Sequence, residues 1–357
     1  MIYRLQCIKK NIKNINNMAV KLLNQKKVLI IAEACDNHFG KLNNAKQMVV
    51  RAKSAGADVI KFQHHLPDEE MLKSVPKSSN FKISLYEFLK KYSLKLSDHI
   101  KLKKFCKKIG IQYLCTPFSY KAAQELNGIG VQWFKIGSGE FTDTPFIKKI
   151  LKFHKPVIFS TGMSTLDEIE MIYKIIKKQK NKKIAFMNCT SEYPPILKDL
   201  NLGFIPKLIK KYPNITIGHS DHTNDILSSI GAVALGAKII EKHVNLDNKN
   251  YGPDRDVSIS FKKFKEMVKS IRVLEQSLGD DKKVYEKEKQ IRKWAHRSIV
   301  SIKDIKKNQI ITQKDIWSKR PGTGIPSRYM NKVIGKKAKK FIKKNTLLTK
   351  TQIGIKI

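Results

Sequence analysis

The sequence is short of acidic residues, of patterned cysteine and of long apolar runs, and each shortage excludes something. Asp and Glu number 30 against 71 Lys and Arg, a formal net charge of +41. Such an imbalance invites a nucleic-acid or anionic-membrane partner, because lysines that neutralise phosphates release counterions. Here the excess is nearly all lysine, runs through every segment and travels with abundant Ile and Asn. That is the look of biased coding rather than of a binding stripe, so neither nucleic acid nor membrane is expected as a partner. An anionic small substrate is the milder reading of the same charge. The five cysteines, Cys7, Cys35, Cys106, Cys115 and Cys189, are odd in number and form no C-x-x-C pair. A disulfide framework is thereby excluded in favour of free thiols in a reducing cytoplasm, with Cys115 and Cys189 expected as buried apolar fill. No apolar stretch approaches the roughly 20 residues that span a bilayer. Residues 1–27 are basic, Asn-rich and without a secretory core or cleavage site, so they read as a disordered extension with Met18 as the expected start. No G-x-G-x-x-G follows the first strand-like run, which counts against a dinucleotide-binding open sheet.

What is present is an alternation. From Val28 onward short β-rich runs alternate with helix-period segments: VLIIAE (28–33), DVIKF (58–62), IQYLC (111–115), VQWFKI (131–136), VIFST (157–161), IAFMN (184–188), ITIGH (215–219) and KIIEK (238–242). Continuous apolar runs between helices mean strands covered on both faces, hence a parallel sheet. Eight such units in about 250 residues is the arithmetic of a (β/α)8 TIM barrel, with a doubly wound open sheet as the alternative. The expected layout is the barrel over 28–280, a charged linker or solvated helix over 281–294, and a small, mostly β domain over 295–357. The connection after the second strand, 63–98, is long and contains the helical LYEFLKKYSL. In a barrel it would shape access to the site.

Functional groups at the C-terminal ends of barrel strands read as catalytic, and here almost every strand ends on one. The centre of the pattern is IGHSDHTNDILSSIGAVALGAKIIEKH (217–243). It brings His222 and His243 to two adjacent strand ends, each beside a carboxylate, Asp221 and Glu241. Two imidazoles with open positions suit an exchangeable Mn2+, Mg2+ or other divalent cation acting as Lewis acid; His38, His64, His65 and His219 are the weaker substitutes. Other strand ends supply Glu33 with Asn37, Lys61 with Gln63, Lys135 with Ser138 and Glu140, Ser160 with Thr161, Asn188 with Thr190, Ser191 and Tyr193, and Ser220. Lys61 and Lys135 are cations on apolar strands, costly unless an anion or a carboxylate meets them. With the serines and the turns GSG (137–139) and STG (160–162) they suit a ligand bearing a phosphate and a carboxylate. Buried Lys–Glu pairs and a Schiff-base lysine are the alternatives.

The motifs IAEACDNHFGKLNNAK, AGADVIKFQ, TPFS, KIGSGE, STGMST, NCTSEYP, GHSDHT, ALGAKIIEKHV, YGPD and KRPGTGI, in that order, resemble the sialic acid (N-acetylneuraminate) synthase family, whose members make nonulosonic acids. The tail resembles that family's antifreeze-like (SAF) domain. The resemblance implies condensation of phosphoenolpyruvate with an N-acylated mannosamine-type sugar, giving a nine-carbon 2-keto acid of N-acetylneuraminate or legionaminate type plus phosphate. It implies Mn2+ on His222 and His243, phosphoenolpyruvate held by Lys61, Lys135, Asn80, Ser138, Ser160, Ser191 and Ser220, and the sugar oriented by Glu33, Tyr193, Asp254 and Arg320, with Gln63 also in the site. Glu140 and Glu241 would handle water and protons. A domain-swapped homodimer, in which Arg320 visits the partner's barrel, is implied as well. Ser191 falls where some members have asparagine, and Cys35-Asp36 replaces a more common apolar or glycine pair. The rival readings are another barrel aldolase or phosphoenolpyruvate-dependent sugar-acid synthase, and a non-catalytic basic binding protein.

Overall fold

The structure, a computed structural model, describes residues 27–77, 83–179, 183–246 and 252–355. The N-terminal extension and Asn80 therefore lie outside the described residues. The chain forms two compact units, one running to Leu278 and the other Gly279–Ile357.

In the first unit all eight expected runs are strands: β1 Leu29–Glu33, β2 Val59–His64, β3 Gln112–Pro117, β4 Phe134–Ile136, β5 Val157–Ser160, β6 Ile184–Cys189, β7 Thr216–Asp221 and β8 Ile239–Asn245. Their order is β3-β2-β1-β8-β7-β6-β5-β4, every pairing parallel. The first strand thus sits between the second and the last, as a barrel requires and an open Rossmann-type sheet does not. The two ends of the ladder, β3 and β4, lie against one another, and the Trp133 indole N–H donates to the Tyr113 carbonyl at 3.0 Å across the seam.

Side chains alternate between two apolar environments. Leu29, Ile31, Val59, Leu114, Trp133, Ile158, Ala185, Met187 and Ile239 fill the barrel interior. Ile30, Ile60, Phe134, Phe159, Phe186 and Ile240 pack outward against helices. Both faces being apolar explains why the strands read as continuous runs. The helices bury one stripe each; in Leu166–Lys178 it is Ile169, Ile172 and Ile176, roughly 1.5–3 kcal/mol apiece, behind a capping box of Thr165 and Glu168. The long connection after β2 holds the helices Pro67–Glu70 and Leu85–Tyr92, the latter capped by Ser84 and Glu87.

The second unit opens with the helix Glu286–Ala295, which has no buried side chain. β9 Ser298–Ser301 and β10 Ile316–Lys319 pair antiparallel over a core that includes Ile299, Ile305, Ile316, Ile342 and Leu348. No helix among the described residues is long and apolar enough to cross a membrane.

One strand-end carboxylate departs from expectation. Asp221 does not join His222; alternation turns it outward, where it pairs with the equally buried Lys242 at 3.0 Å. Its Oδ1 accepts from the Thr223 N–H and hydroxyl, both at 2.8 Å, and its Oδ2 from Ser229 at 2.6 Å. Lys242 Nζ also donates to the Thr223 carbonyl. The pair clamps the turn that carries His222. Asp221→Ala, which strands Lys242 without a counter-charge, is expected to destabilise the protein by about 3–5 kcal/mol in urea unfolding, and adding Lys242→Met should recover most of the loss. An unchanged midpoint in Asp221→Ala would remove the clamp.

Candidate active site

Inward-facing residues recur every second position, so each strand stacks its polar end above its apolar floor. Glu33 lies in register with Lys61 on one side and His243 on the other, and Ser220 with Glu241. Above the floor this creates a buried ionic layer. Lys61 Nζ is 3.1 Å from Glu33 Oε2 and 3.1 Å from Glu241 Oε1; Lys135 Nζ is 2.9 Å from the same Glu241 oxygen. Ser220 Oγ donates to that oxygen too, at 3.2 Å, and Gln63 Nε2 donates to Glu33 Oε1 at 2.9 Å. The two lysines are thus met by carboxylates of the barrel itself. Burial raises the Glu33 carboxyl to about 7 against the pull of Lys61. Burial works on Glu241 in the same sense, but Lys135 and Lys61 hold it well below the usual carboxylate range. Two ammonium groups therefore face one firm and one partial negative charge near neutral pH, leaving the layer attractive to an anion.

Serines from the expected turns gather beside this layer. A side chain at Gly162 would collide with the Ser191 hydroxyl and come within 2.7 Å of that of Ser138, so only glycine leaves the two hydroxyls room. Ser160 Oγ is buried with no hydrogen-bond partner among the described residues. Cys189 lies in the same cradle, 3.7 Å from Ser138 Oγ and 4.0 Å from His222 Nδ1. Burial pushes its thiol up, yet His222, Lys135 and Ser138 together outweigh burial and bring it to about 7. Glu140 folds back over Gly137, where a Cβ would lie 2.7 Å from Glu140 Oε2. That oxygen is enclosed and has no hydrogen-bond partner among the described residues, and burial raises the carboxyl to about 7, with the charge of His65 opposing.

The two histidines meet at the top. Their ring centroids are 5.2 Å apart, and Tyr193 stacks on His222 at 4.4 Å. His222 Nδ1–H donates to the Thr190 carbonyl at 2.7 Å, which fixes the tautomer and leaves the Nε2 lone pair for a ligand, with the Tyr193 hydroxyl 3.4 Å away. His243 Nδ1 is buried without a hydrogen bond among the described residues, 3.8 Å from Asp254 Oδ2. Burial and the neighbouring His222 keep His243 neutral, the state in which imidazole binds metal. Cys35, His243 and Asp254 offer ligand atoms all within 4.8 Å of one another, a group that can hold a metal ion. An orphaned neutral imidazole beside a tautomer-fixed one fits a divalent cation.

The remaining histidines separate from the metal question. His38 Nδ1 accepts from the Gly40 N–H at 3.0 Å, His64 pairs with Glu125 at 2.8 Å, and His219 donates to the Asn188 carbonyl at 3.1 Å. His65 buttresses the site: it contacts Glu70 at 2.9 Å and Gln63 Oε1 at 3.0 Å, and Gln63 reaches Glu33. Neither this chain nor the Cys35–Asp254 contact was legible beforehand; the latter joins residues 219 apart in sequence. Arg320 belongs to the second unit, where it is exposed, donates from Nε to the Ala295 carbonyl at 3.1 Å and lies over the Trp294 ring.

Comparison with known proteins supplies the family and the fold. Residues 48–283 match the NeuB family and residues 296–354 the SAF domain. The N,N'-diacetyllegionaminic acid synthase of Campylobacter jejuni is 37% identical over 333 residues, covering 90% of this chain and 99% of the relative. A pseudaminic acid synthase of the same organism is 37% identical over 324 residues, covering 89% and 94%. Among solved structures, the N-acetylneuraminic acid synthetase of Leptospira borgpetersenii serovar Hardjo-bovis, in complex with citrate, superposes with a TM-score of 0.69 at 32% identity, covering 74% of this chain and 90% of that one.

The raised Glu140 carboxyl has a signature independent of any substrate. Its folded value near 7 lies above the ordinary 4.5, so the native state holds an extra proton between those values and loses stability as pH rises through about 7. Glu140→Gln should therefore be more stable than the parent at pH 8 by roughly 1–3 kcal/mol and close to it at pH 4. Denaturant unfolding at the two pH values checks this; equal differences at both would refute the buried, protonated carboxyl.

Proposed function

Because the chain belongs to the NeuB family, we propose that it condenses phosphoenolpyruvate with an N-acylated mannosamine-type sugar, releasing phosphate and a nine-carbon 2-keto acid of N-acetylneuraminate or legionaminate type. The observation that carries this reading is a single barrel mouth holding both an anion cradle, Ser138 and Ser191 closed over Gly162 beside Lys135, and the paired His222 and His243. Lys61, Lys135, Ser138, Ser160, Ser191 and Ser220, with Asn80, bind the phosphate and carboxylate of phosphoenolpyruvate. Glu33, Gln63, Tyr193 and Asp254 orient the sugar, and Arg320 of a second copy completes its pocket.

His222 and His243 hold a divalent cation, Mn2+ in the first instance, which supplies a Lewis acid for the sugar's aldehyde oxygen. As the methylene carbon of phosphoenolpyruvate bonds to the aldehyde carbon, positive charge develops at its C2. Glu241, held ionised by two lysines, faces that charge with a permanent negative one. Water adds at C2, and Glu140, with its carboxyl near 7, takes a proton from it. The bond between C2 and the phosphate oxygen then breaks as the C2 hydroxyl becomes the keto group, its proton leaving with phosphate, while the proton taken from water ends on the former aldehyde oxygen. A Schiff-base aldolase is the poorer fit, since both lysines lie against Glu241 and that chemistry needs an amine free to attack a carbonyl. The free thiols Cys35, Cys106, Cys115 and Cys189 support a cytoplasmic setting.

Phosphate release should appear when protein, Mn2+ and phosphoenolpyruvate meet N-acetylmannosamine or 2,4-diacetamido-2,4,6-trideoxymannose, and the preferred sugar of that panel identifies the product. EDTA should abolish the release, and the His222→Ala/His243→Ala variant should lose about 10²–10³ in kcat. Full activity after either treatment would rule out the metal. The shared site has its own test. Inactive Arg320→Ala and Lys135→Ala chains, mixed and allowed to exchange, should regain activity, because one hybrid site then has an intact barrel and an intact visiting arginine. No recovery despite demonstrated exchange would count against a domain-swapped homodimer.

A further inference from the structure

The mouth of the barrel contains a thiol that none of these steps uses. Cys35 follows β1 directly, is 4% exposed, and has a left-handed backbone with φ 45°, a conformation uncommon outside glycine and asparagine. The turn is fixed by Ala34 N–H donating to the Lys61 carbonyl at 2.9 Å and Asn37 N–H to the Ala34 carbonyl at 3.1 Å. Asn37 locks the surroundings: its Nδ2 donates to the Val244 carbonyl and to Ser258 Oγ, both at 2.9 Å, and Ser258 donates to the Asp254 carbonyl at 2.6 Å. The end of β1, the end of β8 and the Asp254 loop are therefore one frame. Within it Cys35 Sγ touches Asp254 Oδ2, and His243, 5% exposed, points at the same carboxylate an Nδ1 that has no hydrogen bond among the described residues.

We propose that Cys35 and Asp254 are metal ligands together with His243, so that this chain holds its cation through a thiolate and takes a soft or borderline divalent ion, of the zinc, cobalt or iron class, in preference to Mg2+. The inference rests on the reading that a divalent cation sits at the histidine pair. Three groups with ligand atoms mutually within 4.8 Å, one nitrogen, one sulfur and one oxygen, match the donor set of an open catalytic site, leaving further positions for substrate oxygens and for His222. A dication there would take the sulfur as thiolate, because a coordinating thiol is deprotonated outright. Sulfur also discriminates, since thiolate gains far more from zinc-like ions than from hard Mg2+ or Mn2+. Cys35, His243 and Asp254, with His222, would retain the ion between turnovers, when the substrate oxygens have left.

The experiment is optical and does not require turnover. Full-length protein stripped of metal and titrated with Co2+ should develop a near-ultraviolet thiolate-to-cobalt charge-transfer band, retained in Cys189→Ser and lost in Cys35→Ser. By calorimetry Cys35→Ser should weaken Cd2+ binding by about 100-fold and Mn2+ binding by less than about tenfold. Co2+ binding without the band, a band that survives Cys35→Ser, or equal losses for Cd2+ and Mn2+ would each overturn the assignment. If Cys35→Ser does not fold, as circular dichroism reports, cadmium NMR of the parent protein decides through the downfield shift that a sulfur ligand imposes. Phosphate release by the parent protein with Mn2+ is measured in parallel. Release without the band removes Cys35 as a ligand and leaves the synthase reading standing; the band without release does the reverse.

Discussion

Two lysines share one oxygen of Glu241 inside a barrel whose floor is hydrocarbon, and the rest of the site is arranged around that contact. Lys61 and Lys135 approach Glu241 Oε1 to 3.1 and 2.9 Å. Removing such ions from water costs several kcal/mol each, and internal pairing only offsets it. The pairing here is also incomplete, for Glu241 Oε2 has no hydrogen-bond partner among the described residues. A barrel layer of branched aliphatic residues would be at least as stable. The ionic layer therefore makes sense as a device for meeting an anion at the mouth, where Ser138, Ser160 and Ser191 add neutral donors.

From that layer the remaining geometry follows by counting twos. Glu241 and His243 face the same interior, as do Ser220 and His222, so on their own strands the histidines stand one step above Glu241 and Ser220, while Glu33 and Lys61 lie in register with His243. The step is about 6–7 Å along a strand, which suits a ligand with its acidic groups below and its reacting carbon near a metal above. The same alternation sends Lys242 and Asp221 to the outer face, where they become a clamp instead of a ligand set. The polarity of one strand end thus serves two purposes on two sides of the wall.

Much of this was legible in the sequence because it is local. All eight strands appear within a few residues of the apolar runs, since a strand buried on both faces must be apolar throughout, and the helix caps Ser84 and Thr165 announce themselves by the glutamate three residues on. The same double burial hid the facing of individual residues. In IIEKH every position is enclosed, so periodicity gave no means of deciding that Glu241 looks in and Lys242 looks out, and Asp221 was misread as a companion of His222. The lysines read first as an anion cradle, with internal carboxylate partners as the alternative; they have those partners, because Glu33 and Glu241 arrive from other strands. Cys35 stood out only as half of an unusual Cys35-Asp36 pair, since neither its positive φ nor its contact with Asp254 leaves a local trace.

Glu241 and Glu140, two of the three glutamates in the mouth, show how environment assigns chemistry to identical side chains. Glu241 is as buried as a carboxylate can be, and burial alone would protonate it; two ammonium groups at hydrogen-bond distance reverse the outcome. Glu140 is enclosed over Gly137 with no cation in contact, so burial prevails and its carboxyl rises to about 7. A group held that far into its ionised form is a poor proton acceptor but a dependable fixed charge, whereas one near 7 exchanges protons at little cost. The roles cannot be traded without moving the lysines: taking Lys135 away would raise Glu241 toward neutrality, and the charge that faces the reacting carbon would go with it. The ionic layer is thus what makes one glutamate an electrostatic partner and leaves the other to move protons.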